Sequence, residues 1–183
     1  YAAIGQFQSA VQMLTTFASG AINNGVIKYT AEYHEDEEKQ VAIWRTAGTI
    51  SLVGSLIAGL IVILFSRALS IEFLNDERYS GVFVWFAVTL VFLTFNSLLL
   101  AVLNGKKEIE RYVSASIAGS IFSFLVTGLL SVTLGLYGAL LSLAVYQSLS
   151  FFITLWLCKK TTWFKFSYFI GGVKANELKN LSK

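Results

Sequence analysis

The chain has 183 residues, 14 of them Lys or Arg and 11 Asp or Glu, so charge makes up 14% of it and hydrophobic residues 55%. That balance, with a net charge of +3 and one cysteine, excludes a disordered tail, a basic nucleic-acid-binding domain and a disulfide scaffold. What organises the sequence is where charge is missing.

Four charge-free windows run from Tyr1 to Ile27, Thr46 to Ser66, Tyr79 to Gly105 and Tyr112 to Cys158, with lengths of 27, 21, 27 and 47 residues. A bilayer core of about 30 Å takes about 20 apolar residues in a helix that rises ~1.5 Å per residue. The first three windows therefore hold one span each and the fourth holds two. The sequence predicts an all-α, polytopic transmembrane bundle with spans at about 1–27, 46–66, 81–103, 112–134 and 138–158, followed by an interfacial segment, 159–183. Proline is absent, so any bend must come from Gly or Ser.

The first span carries more polar side chains than packing requires. Gln8, Gln12, Thr15, Ser19 and Asn23 follow at intervals of four, three, four and four and share one helix face. Asn24, Lys28 and Glu32 extend a neighbouring stripe. Such a face points into the bundle, either to bond other helices or to wall a hydrophilic pathway. Lys28 is expected to pair with Glu32, to snorkel, or to meet an anionic substrate at the cavity mouth together with Arg45. The run Glu35-Asp36-Glu37-Glu38 reads as a solvated loop, and His34 has no companion ligand at metal spacing.

On the second span Ala47, Ser51, Ser55 and Gly59 form a small-residue ladder, as do Ala115, Gly119 and Ser123 on the fourth. Both suit close helix packing. Further inward candidates are Thr89, Asn96 and Ser97 on the third span. The fourth adds Ser116, Ser120, Ser123 and Thr127, and the fifth Gln147, Ser150 and Thr154. Asn96 and Gln147 stand out, because Ser and Thr can satisfy themselves on their own helix carbonyls. Gly135-Leu136-Tyr137-Gly138 supplies the tight turn between the last two spans. In the tail, Trp163 to Ile170 mixes aromatic residues with Lys165 and reads as interfacial.

Twelve basic residues fall on one side of the predicted membrane and two on the other. The positive-inside rule then makes 28–45, 104–111 and the tail cytoplasmic. Tyr29, Tyr33, Trp44, Tyr112, Trp156 and Trp163 are expected at that interface, and Tyr79, Trp85 and Tyr137 at the other. This topology puts the first residue outside and already within a helix, so the chain is expected to be a fragment lacking an earlier helix. No phosphate loop, G-x-S-x-G or HExxH motif occurs, and the spans contain no Asp, Glu or His. That argues for transport or scaffolding over catalysis; no catalytic residue, metal or cofactor is expected.

Three stretches then carry a resemblance. Ile22-Asn23-Asn24-Gly25-Val26-Ile27-Lys28-Tyr29, followed by Thr30-Ala31-Glu32-Tyr33, resembles the end of the second helix in bacterial O-antigen and lipid III flippases. These form the polysaccharide branch of the multidrug/oligosaccharidyl-lipid/polysaccharide exporter superfamily. Ala101-Val102-Leu103-Asn104-Gly105-Lys106-Lys107 is similar to that superfamily's loop between helices four and five, and Gly135-Leu136-Tyr137-Gly138-Ala139 to its turn before helix six. The resemblance implies helices two to six of a twelve-helix, two-lobe exporter in the bacterial inner membrane. It implies that undecaprenyl-diphosphate-linked oligosaccharide, an O-antigen unit or lipid III, moves from the cytoplasmic to the periplasmic leaflet by alternating access through a hydrated, cationic cavity. Membrane lipid, a polysaccharide polymerase and assembly proteins are the implied partners, with no nucleic acid. Asn23, Asn24 and Lys28 match the family motif; Gln8, Gln12, Arg45, Asn96 and Gln147 are candidates on geometry. A drug or small-solute exporter of the same superfamily, and a membrane scaffold for polysaccharide assembly, are the alternatives.

Overall fold

The computed structural model describes residues 2–19 and 22–169. Among these, six α-helices and two 3-10 turns occur and no strand: α1 (Ala2–Ser19), α2 (Asn23–Glu32), α3 (Glu37–Leu64), α4 (Ser66–Leu74), α5 (Ser80–Gly105) and α6 (Ile109–Lys159), with turns at Glu77–Tyr79 and Phe166–Tyr168. Among the described residues three helices are long and apolar enough to cross a membrane: α3, α5 with the turn that leads into it, and α6.

The expected first span is divided, since α1 ends at Ser19 and α2 begins at Asn23. α2 starts after Ile22 with no side-chain cap, and its first residues, Asn23, Asn24 and Gly25, are weak interior helix formers. The acidic run is a loop only in its first half, Glu35 and Asp36. Asp36 caps α3 by accepting the Lys39 N–H at 3.1 Å, and Glu37 and Glu38 occupy the first turn, where the helix dipole favours negative charge. The segment between the second and third spans is also helical: α4 buries Ser66, Ser70 and Leu74, one per turn. Asn75 ends it in the left-handed conformation (φ 54°), and Asp76 accepts the Arg78 N–H at 2.9 Å to start the turn into α5.

α6 is one element that folds back on itself. Gly135 (φ 58°, ψ −137°) splits it into two arms, and Gly119 of the first comes against Ser150 of the second. A Cβ on Gly138 would lie 1.9 Å from the Leu130 carbonyl oxygen, so the arms meet where only glycine fits.

α5 is the central helix. Phe83, Phe86, Ala87, Leu90 and Leu93 join Phe7 of α1, Val62 of α3 and Leu140 and Ala144 of α6 in one buried cluster. Leu98, Leu99, Val102 and Leu103 join Val26, Trp44, Phe151, Cys158 and Phe169 in a second. The ladder Ala47, Ser51, Ser55 and Gly59 is buried, and Gly59 abuts the Ala87 carbonyl of α5. On the opposite side of α3, Val53, Leu56, Ile57, Leu60, Ile61 and Leu64 form one exposed apolar stripe, the surface a lipid chain would cover.

Trp44 was expected in an interfacial belt, yet it is completely buried. Segment 163–169 folds back over it: the Trp163 ring lies 5.4 Å away and Phe169 stacks on it at 5.8 Å with the planes 5° apart. Trp163, Phe164, Tyr168 and Phe169 of the tail therefore pack on protein; residues 170–183 lie outside the described part.

Candidate functional site

The polar stripe of α1 and the second arm of α6 border an open cavity of about 380 Å³, lined by Gln8, Val11, Gln12, Thr15, Thr16, Ser19, Asn23, Leu143 and Tyr146. All five residues that the four-and-three spacing put on one face of the first span lie on this wall, although Ser19 and Asn23 belong to different helices. Thr15 and Thr16 donate to the carbonyls of Val11 and Gln12 at 2.7 and 2.8 Å, so their hydroxyls are held by their own helix. Asn23 differs: its Oδ1 is buried with no hydrogen-bond partner among the described residues.

A second cavity, of about 580 Å³, lies between α5 and the two arms of α6. Asn96, Ser97, Ser116, Ser120, Ser123, Thr127, Ser150 and Thr154 supply its polar lining, and Leu143 and Tyr146 form a wall common to both cavities. The volumes fall in the ~300–1,000 Å³ range of small-ligand sites. Neither lining contains Asp, Glu, Lys, Arg or His. Small residues let the two arms approach: a Cβ added at Gly119 would lie 3.2 Å from Ser150 Oγ, and Ala115 is buried one turn before it.

The remaining expected residues lie elsewhere. Asn24 and Lys28 are exposed on α2, and Lys28 lies over the Tyr29 ring at 5.2 Å instead of pairing with Glu32. Arg45 is half-buried on α3, its Nε without a partner among the described residues, and its backbone carbonyl accepts from Thr49. None of the three lines either cavity. Thr89, also expected to face inward, bonds the Trp85 and Phe86 carbonyls, while its own carbonyl accepts from Ser148 of α6 at 2.9 Å. That ties α5 to α6. Gln147 lies on α6, but its side chain is outside the described part of the structure.

Sequence reasoning passed over Tyr146, which faces both cavities. The signal was present: Tyr146, Ser150 and Thr154 recur every four residues and so share a face. It also missed the polar bonds under the aromatic end. Thr30 of α2 accepts from Trp44 Nε1 through its hydroxyl at 2.9 Å and from Gln40 Nε2 through its carbonyl at 2.7 Å. Lys106, at the end of α5, lies 5.3 Å from the rings of both Trp44 and Trp163. Burial pushes its ammonium pKa below the ordinary lysine value, against the upward pull of Glu37 and Glu108. Glu108 in turn pairs with Arg111 and accepts from Trp163 Nε1 at 3.3 Å.

Comparison with known proteins gives the lineage. The chain is 28% identical over 144 residues to the lipid III flippases of Escherichia coli (strain K12) and of Shigella flexneri, covering 78% of this chain and 34% of each relative. It thus spans about a third of the length of the curated relatives it matches. No solved structure matches it significantly. The family model for polysaccharide biosynthesis proteins matches residues 1–182. Apolar spanning helices and a match along the chain's length make this protein a member of the polysaccharide biosynthesis protein family, a group with flippases among its members.

Proposed function

We propose that the protein carries lipid-linked oligosaccharide, with an undecaprenyl-diphosphate anchor, from the cytoplasmic to the periplasmic leaflet of the bacterial inner membrane. The observation that carries this reading is the α1 wall: Gln8, Gln12, Thr15, Ser19 and Asn23 face one cavity in an otherwise apolar chain. Polar side chains at membrane depth are unfavourable unless they meet water, protein or a polar cargo. An oligosaccharide is such a cargo, because each sugar brings several hydroxyl donors and acceptors. The relatives named lipid III flippases support the same class of cargo.

In this reading Gln8, Gln12, Asn23 and Asn96 face the sugars, with Gln147 on the same arm of α6. Asn24, Lys28 and Arg45 stand outside the cavities, towards the basic cytoplasmic side, where a diphosphate would first be met. Alternating access requires a second lobe to close against the α1 and α6 wall. The wall does no covalent chemistry.

The test uses the full-length protein in cells deleted for their own oligosaccharide flippase. Wild type is expected to restore surface polysaccharide, and the pair Gln8→Leu and Gln12→Leu to lower it by roughly tenfold at equal protein level. That loss corresponds to about 1.4 kcal/mol of lost interaction. No restoration by wild type, or full restoration by the double variant, would overturn the reading.

A further inference from the structure

Segment 163–169 grips several elements at once. The rings of Trp163 and Phe169 lie on Trp44 of α3, and Trp163 Nε1 donates to Glu108 at the start of α6. Lys106, at the end of α5, holds its ammonium 5.3 Å from both tryptophan rings, so one cation bridges α3 and the segment. Cys158, near the end of α6, is buried in the same cluster. The backbone takes part as well. A Cβ on Gly48 would collide with the Phe169 carbonyl oxygen, so the segment sits on α3 where only glycine leaves room. Release would be unfavourable: Trp44 is fully buried and Phe169 only 1% exposed, and each such ring carries roughly 150–250 Å² of surface. Trp44, Gly48, Lys106, Glu108 and Trp163 line neither cavity. Whatever the segment does for transport, it does through the placement of helices and not by touching cargo.

We infer that segment 163–169 is a strut that holds the Trp44 end of α3, the Lys106 end of α5 and both ends of α6 as one body during transport, with Gly48, Lys106 and Trp163 as its positioning residues. The inference rests on the flippase reading and adds to it which part of the bundle does not move against itself. The rearrangement of alternating access then falls between this body and the lobe that closes on it. The strut stays docked throughout the cycle and is not a gate.

The experiment uses the full-length protein in liposomes with undecaprenyl diphosphate bearing a trisaccharide as probe, and reads probe binding and leaflet-to-leaflet transfer separately. Gly48→Ala pushes the segment off α3, while helix propensity favours the substitution itself. It should speed alkylation of Cys158, followed on its own peptide by mass spectrometry, by roughly tenfold or more. Transfer should fall roughly tenfold, with probe affinity within about twofold of wild type. A segment that only stabilised the fold would lower binding and transfer together, and that result would overturn the strut. Trp163→Leu removes the ring and the bond to Glu108 at a half-buried position and should act in the same direction, which keeps the test open if Gly48→Ala fails to fold. A further arm fixes the segment in place. Glu108→Cys with Trp163→Cys, in a background with every other cysteine replaced by Ser, is bridged by a short bis-maleimide. Bridged protein should transfer at least as fast as unbridged. Slower transfer after bridging would make the segment a gate that has to open. That outcome, or both Gly48→Ala and Trp163→Leu keeping Cys158 protected or transferring like wild type, would overturn the strut while leaving the flippase reading in place. No transfer by wild type would overturn both.

Discussion

Two polar regions of this bundle use the same side-chain types to opposite ends. Beneath the aromatic cluster, the polar groups bond between helices: Gln40 and Trp44 of α3 both reach Thr30 of α2, and Trp163 reaches Glu108. Along the cavity walls, Thr15, Thr16, Ser116, Ser120, Ser150 and Thr154 bond the carbonyls of their own helices. A bond between helices fixes their distance and leaves nothing over. A bond within a helix holds no neighbour and turns the oxygen lone pairs outward. The first region is built to stay put, whereas the second leaves room for something that comes and goes.

The contrast fails most visibly if the aromatic end can be removed without harm. Trp44→Ala takes away a completely buried ring, its stack with Phe169 and the bond to Thr30. Loss of such a side chain destabilises by about 3–5 kcal/mol. Denaturant unfolding of the purified full-length protein in detergent should show it. The cavity pair Gln8→Leu and Gln12→Leu, exposed on α1, should stay within about 0.5 kcal/mol of wild type in the same assay. A reversal of that order would break the comparison.

A smaller effect is expected where the cavity depends on backbone instead of side chains. Gly138→Val drives a Cβ into the Leu130 carbonyl and must spread the hairpin of α6, at about 1–3 kcal/mol. Gly128, on the same element, has nothing within 4 Å of its would-be Cβ. Gly128→Ala should therefore hold or raise stability, by up to about 1 kcal/mol from helix propensity. Paired unfolding curves of the two variants check this. Equal losses would mean that the hairpin is not set by contact at its turn.

Periodicity explains what was legible beforehand. The stripe from Gln8 to Asn23 was readable because five polar residues at helical spacing stand out against an apolar background. The Gly135 turn was readable because glycine there interrupts 47 charge-free residues. Periodicity carries no information about which partner an apolar or aromatic face meets. Trp44 looks like an interfacial anchor until segment 163–169 is seen folded over it, more than a hundred residues further along. Composition also overweighted charge. It put Lys28 and Arg45 at the cavity mouth, and both cavities are lined without Asp, Glu, Lys, Arg or His. It also turned α4 and the capped start of α3 into loops. Both are short helical stretches fixed by local bonds at Asp36 and Asn75.

The start of α3 provides the smallest and most specific test. The side chain of Lys39 pairs with Asp36 at 2.7 Å, and its backbone N–H bonds the same carboxylate. The Lys39 side chain first, then its backbone N–H, hold the Asp36 carboxyl below its ordinary value of 3.8. A carboxyl depressed in the folded state contributes stability above its unfolded pKa and loses it as pH falls through the folded one. For Lys39 the sign is opposite: raised by Asp36, it contributes below 10.5 and loses that contribution as pH climbs through its folded value. Both groups are solvent-exposed, so the change should be confined to the first turn of α3. Hydrogen exchange at the Lys39 amide reads it directly. Acidification below pH 3.8 should lower the protection of that amide, its exchange measured against the intrinsic rate at each pH, in wild type. Asp36→Asn should retain the cap and flatten the acid response, and Asp36→Ala should leave the Lys39 amide unprotected at every pH. If protection at Trp44 falls in step, the cap and the aromatic cluster melt together, and the rigid region extends to the start of α3. If it does not, rigidity begins at the bonds to Thr30, where the polar groups first cross from one helix to another.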